Sequence, residues 1–185
     1  EQLNLRKNTL IIFASDNGAA IQAPIKILNC NAGFKGRKGT LYEGGIRVPF
    51  IVNQPGMVPI QTLDNLIYFP DMMPTLAALA KGTKHLPKQI NGINILPLFY
   101  GKQVDTDNRL LYWEFPGKQR AARKGDWKCV TIHPNQPLEL YNLKEDPEET
   151  NNLAKKYPRR VKEFDEEMQR MHIPTPNWPQ PGEQF

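Results

Sequence analysis

Two neighbouring polar residues, Asp16 and Asn17, end a β-branched and aromatic run in "TLIIFASDNG". A carboxylate and a carboxamide side by side offer hard oxygen donors. A divalent cation such as Ca²⁺ takes roughly six to eight oxygens, many of them carboxylate, so further acids must come from elsewhere. The same residues also make ordinary turns, because Asp and Asn bond their own backbone and Gly supplies positive φ. On spacing alone the turn is the commoner use. About twenty residues further on, Lys35, Arg37 and Lys38 lie in the glycine-flanked stretch "GFKGRKGTLYEGGIRVPFIV". A cation there can reach an anionic group, and glycine lets backbone approach it closely. A solvated basic loop fits the spacing equally, and no GxxxxGK[ST] phosphate loop occurs. Glu43 can neutralise Arg47 or Lys38, with Gly44-Gly45 as the bend before the next strand.

The elements that must position these residues follow from periodicity. The run over 8–18 reads as a strand buried on both faces, as in a parallel sheet covered by helices, where functional residues lie past the strand's carboxyl end. Residues 19–40 read as an irregular loop and 47–52 as a second short strand. "FPDMMPTLAALAKG" (69–82) predicts a helix capped by Asp71, ended by Gly82 in a left-handed conformation, with Met72, Met73, Leu76, Leu79 and Ala80 on one face. Beyond residue 105, "RLLYWEF", "QRAARKG", "DWKCVTI" and "LELYNL" predict a small antiparallel sheet. Asp146, Pro147 and Glu149 suggest the start of a helix. A further helix begins at Pro158, with Val161, Phe164, Met168 and Met171 on one face and Glu166 paired with Arg170. A Pro-rich extended tail closes the chain.

The chain has 185 residues, room for one large domain or a domain plus a subdomain. Its net charge of +5 raises the question of nucleic acid. The cations are interleaved with acids, as in "RRVKEFDEEMQR", and aromatics do not alternate with them as a stacking platform requires. Nucleic acid is therefore not an expected partner. No run reaches membrane-spanning length. Cys30 and Cys129 are far apart and form no CxxC, which fits free thiols better than a bridge. His85, His133 and His172 lack zinc-site spacing. The chain opens on Glu1, and "EQLNLRKNTL" reads like a helix end running into a strand, so it is expected to start partway through a longer protein.

Several motifs in order carry a resemblance. The strand ending in "DNG", then "KGTLYEGGIRVPFIV", "FPDMMPTLAALA", "INGINILPLFYGK", "RAARKGDWKCV" and "LELYNLKEDPEETNNLA" together resemble the sulfatase family, the arylsulfatase type of the alkaline-phosphatase-like superfamily. The resemblance covers residues 8–157 and is to the family's C-terminal portion only. It implies an α/β fold: the C-terminal part of an alkaline-phosphatase-like mixed sheet flanked by helices, then a small antiparallel-sheet subdomain with terminal helices. The implied division is 1–104 for the catalytic-domain part, 105–172 for the subdomain and 173–185 for the tail.

The resemblance also implies roles. Asp16 and Asn17 match ligands of the active-site cation, Ca²⁺ or another divalent ion, and Lys38 matches the lysine that contacts substrate sulfate. The nucleophile implied is a formylglycine made from Cys or Ser in C/S-x-P-x-R. Neither "NCNAG" nor "KCVTI" has that pattern, so the formylglycine is expected in a missing N-terminal part and this chain alone is expected to be inactive. The implied activity of the parent is hydrolysis of sulfate esters, on a sulfated small molecule or glycan, in the periplasm or outside the cell. Alternatives are a non-catalytic sulfated-glycan-binding remnant or pseudoenzyme, and a phosphonate or phosphate ester hydrolase of the same superfamily. A sheet parted from some of its strands would expose an apolar edge, which favours self-association.

Overall fold

The computed structural model describes residues 2–115, 119–133 and 135–176, the side chains of Ile25 and Lys26 apart. In chain order the elements are β1 (Ile11–Ala14), α1 (Ile25–Leu28), α2 (Glu43–Ile46), β2 (Phe50–Asn53), α3 (Met72–Leu79), α4 (Leu96–Phe99), β3 (Leu110–Phe115), β4 (Gln119–Lys124), β5 (Trp127–Thr131), β6 (Glu139–Asn142) and α5 (Pro158–Met171). Of the expected tail, 173–176 is irregular and the rest lies outside the described residues. The chain forms two compact units, Glu1–Ala14 with Pro49–Arg109 and Ser15–Val48 with Leu110–Phe185. Successive blocks at 1–104 and 105–172 do not announce this interleaving.

In the first unit β1 and β2 pair antiparallel, Ile11 opposite Asn53 and Ala14 opposite Phe50. The expected burial on both faces is not met here. Ile12, Phe50 and Val52 pack on a core of Ile95, Leu98 and Phe99, whereas Ile11, Phe13 and Ile51 are exposed. A two-stranded ribbon packed on one side buries only alternate residues.

Helix α3 also differs from expectation. Pro74 and Thr75 are its buried residues, while Met73, Leu76 and Leu79 are exposed. Polar anchoring explains the rotation. Thr75 Oγ1 accepts from Ile95 N–H at 2.9 Å. Asp71, fully buried, does not cap α3. Its Oδ1 accepts from Ile93 N–H (2.9 Å) and Arg109 Nη1 (2.5 Å), and its Oδ2 from Tyr68 N–H (3.0 Å) and Arg109 Nη2 (2.6 Å). A bidentate guanidinium with two amides satisfies the carboxylate, which burial requires. Lys81, not Gly82, takes the left-handed conformation past the helix, at φ 57°.

The second unit is built on the antiparallel meander β3-β4-β5-β6, at the strand positions that alternation predicts. Its register sets Ala122 opposite Cys129 and Cys129 opposite Leu140. This row faces Phe164 and Met168 of α5. Burying two such side chains stabilises by roughly 1.5–3 kcal/mol each. Ala121, Val130 and Tyr141 point the other way and pack on Leu41, Tyr42 and Leu143. On the outer face of α5, Arg170 pairs with Glu167 at 2.6 Å and Glu166 with Lys162 at 3.8 Å, not with each other as expected. Exposed pairs of this kind are weak, so alternatives differ little in energy.

No helix forms after Asp146. Its carboxylate accepts from the N–H groups of Thr150 (3.0 Å) and Asn151 (2.8 Å), and Glu149 sits at φ 56°. That turn delivers Glu149 to the interior. Lys128, fully buried on β5, lies 2.9 Å from Glu43 Oε1 and 2.9 Å from Glu149 Oε1; the latter contact is charge proximity without hydrogen-bond alignment. Glu149 Oε2 accepts from Glu43 N–H at 2.6 Å. Arg123 and Arg47 approach Glu43 Oε2 at 3.6 and 3.8 Å. Of the partners expected for Glu43, Arg47 is present and Lys38 is not. Removing one member of a buried ion group typically costs about 3–5 kcal/mol, because its partners stay buried and unpaired. Lys128→Ala is accordingly expected to lower unfolding stability by about that amount, read as a lower urea midpoint at unchanged slope.

Candidate functional site

Asp16 and Asn17 sit on the bend that follows β1, Asp16 exposed and Asn17 half-buried. Ser15 Oγ donates to Asn17 C=O at 2.9 Å and tightens the bend. The next residues dock on the lysine loop. Gly18 N–H donates to Gly45 C=O at 2.9 Å, and Lys38 N–H donates to Ala19 C=O at 2.9 Å. Arg37 Nη1 donates to Ile21 C=O at 3.1 Å. The structure thus joins through backbone the two segments that sequence singled out.

The glycines explain how. A Cβ on Gly18 would stand 1.8 Å from Gly44 O, and one on Gly45 would stand 2.0 Å from Thr40 O. Neither position has room for a side chain. The composition of the opening stretch reflects this close approach of bare backbone.

Lys35, Arg37 and Lys38 look equivalent in sequence but are not. Lys35 Nζ donates to Tyr141 Oη (3.0 Å) and Glu139 Oε2 (3.4 Å) and lies 4.0 Å from the Tyr42 ring centroid. It is built into the fold, tying the loop to β6. Lys38 is exposed, and its ammonium makes no hydrogen bond or ion pair with the described residues; the same holds for the Asp16 carboxylate.

Glu139 Oε2 also accepts from Tyr42 Oη (2.7 Å) and Tyr141 Oη (2.5 Å). Burial alone would raise its pKa, but the two phenols and Lys35 outweigh that and hold it below the usual carboxylate range. Burial and the bond to Glu139 push both phenols up. Burial lifts the Cys129 thiol to about 12, so it is no nucleophile at neutral pH, and both cysteines are free.

The described residues bring no group of three or more His, Cys, Asp or Glu side chains together as a metal cage. Asp16 and Asn17 contribute an accessible carboxylate and carboxamide, donor types that suit a hard cation but only part of its shell. Residues whose roles sequence reading missed are supports: Lys128 and Glu149, whose partners lie far off in the chain, and Glu139, whose only signal was its sharing a strand face with Tyr141.

Residues 34–173 match the family described as N-sulphoglucosamine sulphohydrolase, C-terminal. A sulfatase of Formosa agariphila is 32% identical, covering 83% of this chain and 30% of its own length. An N-acetylgalactosamine-6-O-sulfatase of Bacteroides thetaiotaomicron is 30% identical, covering 90% and 37%. A solved chain described under glycosaminoglycan metabolism by Bacteroides thetaiotaomicron has a TM-score of 0.80 at 30% identity, covering 91% of this chain and 40% of that one. Another, Ps i-CgsB in complex with k-i-k-neocarrahexaose, has a TM-score of 0.77 at 26% identity, covering 98% and 40%. The chain belongs to the sulfatase family, with the alkaline-phosphatase-like fold, and matches its C-terminal portion. It spans about a third of the length of these curated relatives.

Two outcomes test this construction. Gly18→Ala is expected to destabilise by about 1–3 kcal/mol, as overpacking does, and to speed amide exchange at Lys38. The effect of Glu139 depends on pH. Its native pKa is depressed, so its contribution is present above the usual carboxylate range and lost as pH falls through the lower native value. The stability gap between wild type and Glu139→Gln, about 2 kcal/mol at neutral pH for bonds to a charged acceptor, should close on acidification in a series of urea melts.

Proposed function

We propose that this chain is the C-terminal portion of an enzyme that hydrolyses sulfate esters. Lys38 contacts the substrate sulfate, and Asp16 and Asn17 donate to Ca²⁺ or another divalent cation. The observation that carries this is the backbone joint of Lys38 N–H to Ala19 C=O beside the Gly18–Gly45 bond. It ties the backbone of the loop that carries the uncommitted Lys38 to the segment that directly follows Asp16 and Asn17, which suits an anionic ester held beside a metal. The nucleophile, a formylglycine made in C/S-x-P-x-R, comes from sequence outside this chain, so the chain alone has no turnover.

A bound cation would supply Lewis-acid polarisation of a sulfate oxygen. The chain's own residues hold and neutralise. Asp16 and Asn17 are kept at the bend by Ser15, and Lys38 places one positive charge against the transferring group. A preorganised charge of this kind acts mainly in the transition state. The substrate class we favour is a sulfated glycan, in keeping with the N-acetylgalactosamine-6-O-sulfatase relative and the neighbour bound to an oligosaccharide. Export of the parent to the periplasm or beyond fits a polymeric substrate of that kind.

The test is Lys38→Ala in the full-length enzyme, assayed on an aryl sulfate with Ca²⁺. Loss of one such contact typically costs ~2.7–4 kcal/mol, so kcat should fall roughly a hundred- to thousandfold. Melting should hardly move, since exposed substitutions stay within about 0.5 kcal/mol. Lys144→Ala, an exposed lysine elsewhere in the unit, is the control. Lys35 cannot serve, because its removal would open the Glu139 cluster. Equal activity of Lys38→Ala and Lys144→Ala would overturn the role of Lys38.

A further inference from the structure

Lys38 is fixed from both sides, and the second anchor comes from a distant part of the chain. On its amino side its own N–H reaches Ala19 C=O. On its carboxyl side the next residue, Gly39, has φ 91°, and its C=O accepts from Gln119 Nε2 at 3.0 Å. Gln119 opens β4, where it pairs with Phe115, and the Phe115 ring lies beneath Gly39, 4.0 Å from where a Cβ would stand. Gln119 Oε1 is buried without a hydrogen-bond partner among the described residues. Leaving that buried acceptor unmatched costs desolvation, offset in part by the bond the amide's donor makes to Gly39. The amide orientation follows from this, since the opposite one would set oxygen against oxygen.

We infer that Gln119 is a positioning residue for Lys38: by holding the Gly39 carbonyl it fixes the loop's carboxyl side, so the lysine projects from a backbone clamped between the Asp16-Asn17 bend and the sheet. The inference rests on the reading of Lys38 given above. It differs from a purely structural role because Gln119 acts on one peptide group next to Lys38. Loss of alignment at a reacting centre can cost up to about a hundredfold in rate.

Two measurements test it, using Gln119→Met, which keeps size without the donor, and Gln119→Glu, which puts an acceptor in its place. In the 185-residue chain, hydrogen exchange over residues 36–42 is expected to rise about tenfold in both variants, with α5 unchanged. Unchanged exchange over 36–42 would overturn the clamp without any appeal to catalysis. In the full-length enzyme with an aryl sulfate and Ca²⁺, Gln119→Met should lower kcat about tenfold with little change in KM, and should add no further loss to Lys38→Ala. If the two losses multiply independently, Gln119 does not act through Lys38 and the inference falls while the role of Lys38 stands. If Lys38→Ala alone is fully active, the functional reading falls, and the exchange result still decides the clamp.

Discussion

The second unit depends on one ammonium group kept away from water. Lys128 has no exposed surface, and its charge is balanced by Glu43 and Glu149. Burying an ion costs several kcal/mol even after relaxation, and only close, well-placed counter-charges repay it. Here they come from places far apart in sequence, a short helix and a turn, and meet on a strand. Glu149 is held in a left-handed conformation that disfavours any residue but glycine by about 1–3 kcal/mol. The carboxylate it presents to Lys128 and to the Glu43 amide offsets that strain. Burial still raises the Glu149 pKa, against the pull of Lys128. Once Glu43 is fixed, α2 is fixed, and so are the glycine carbonyls on which the Asp16-Asn17 bend rests.

The first unit uses the same device with different partners. Asp71 is buried and takes the fork of Arg109 together with two backbone amides. The family-like segments around residues 71–75 and 92 are thereby accounted for without chemistry, with Arg109 as the partner from outside them. They hold α3 and the α4 region in place, and a Cβ at Gly92 would stand 1.9 Å from Pro70 O. Sequence patterns shared with the family thus divide into residues that lock a carboxylate inside and residues, such as Lys38 and Asp16, whose charged groups make no bond to the described residues.

Local patterns carried part of this and long-range pairing the rest. The strands β3 to β6 and helix α5 were readable because alternation and the Phe164–Met168 spacing mark one buried face each. The Asp146 segment misled because a helix cap and a turn use the same first residues; the left-handed Glu149 and its buried partner decided between them. The apolar stripe of α3 misled because polar anchors, Asp71 and Thr75, set the buried side. Asp16, Asn17 and Lys38 were visible as residue types, and only the family resemblance separated them from an ordinary turn and a basic loop. Nothing local distinguishes Lys35 from Lys38, since the difference lies in Tyr42, Tyr141 and Glu139. Gln119 had no signal at all, because its partner is a backbone carbonyl.

The seam between Gly18 and the Gly44-Gly45 pair has one more consequence. It contains no side chain, so it has no χ angles to order on folding and none to hop afterwards. Ordering rotamer-rich side chains can cost up to about 2 kcal/mol each, and this joint avoids that loss, leaving only the backbone contribution. A loop held by interdigitated side chains would spread over alternative rotamers as temperature rises. One held by carbonyls against α-carbons has no such alternatives, so at this seam the spacing between the bend and the lysine loop is set by peptide geometry.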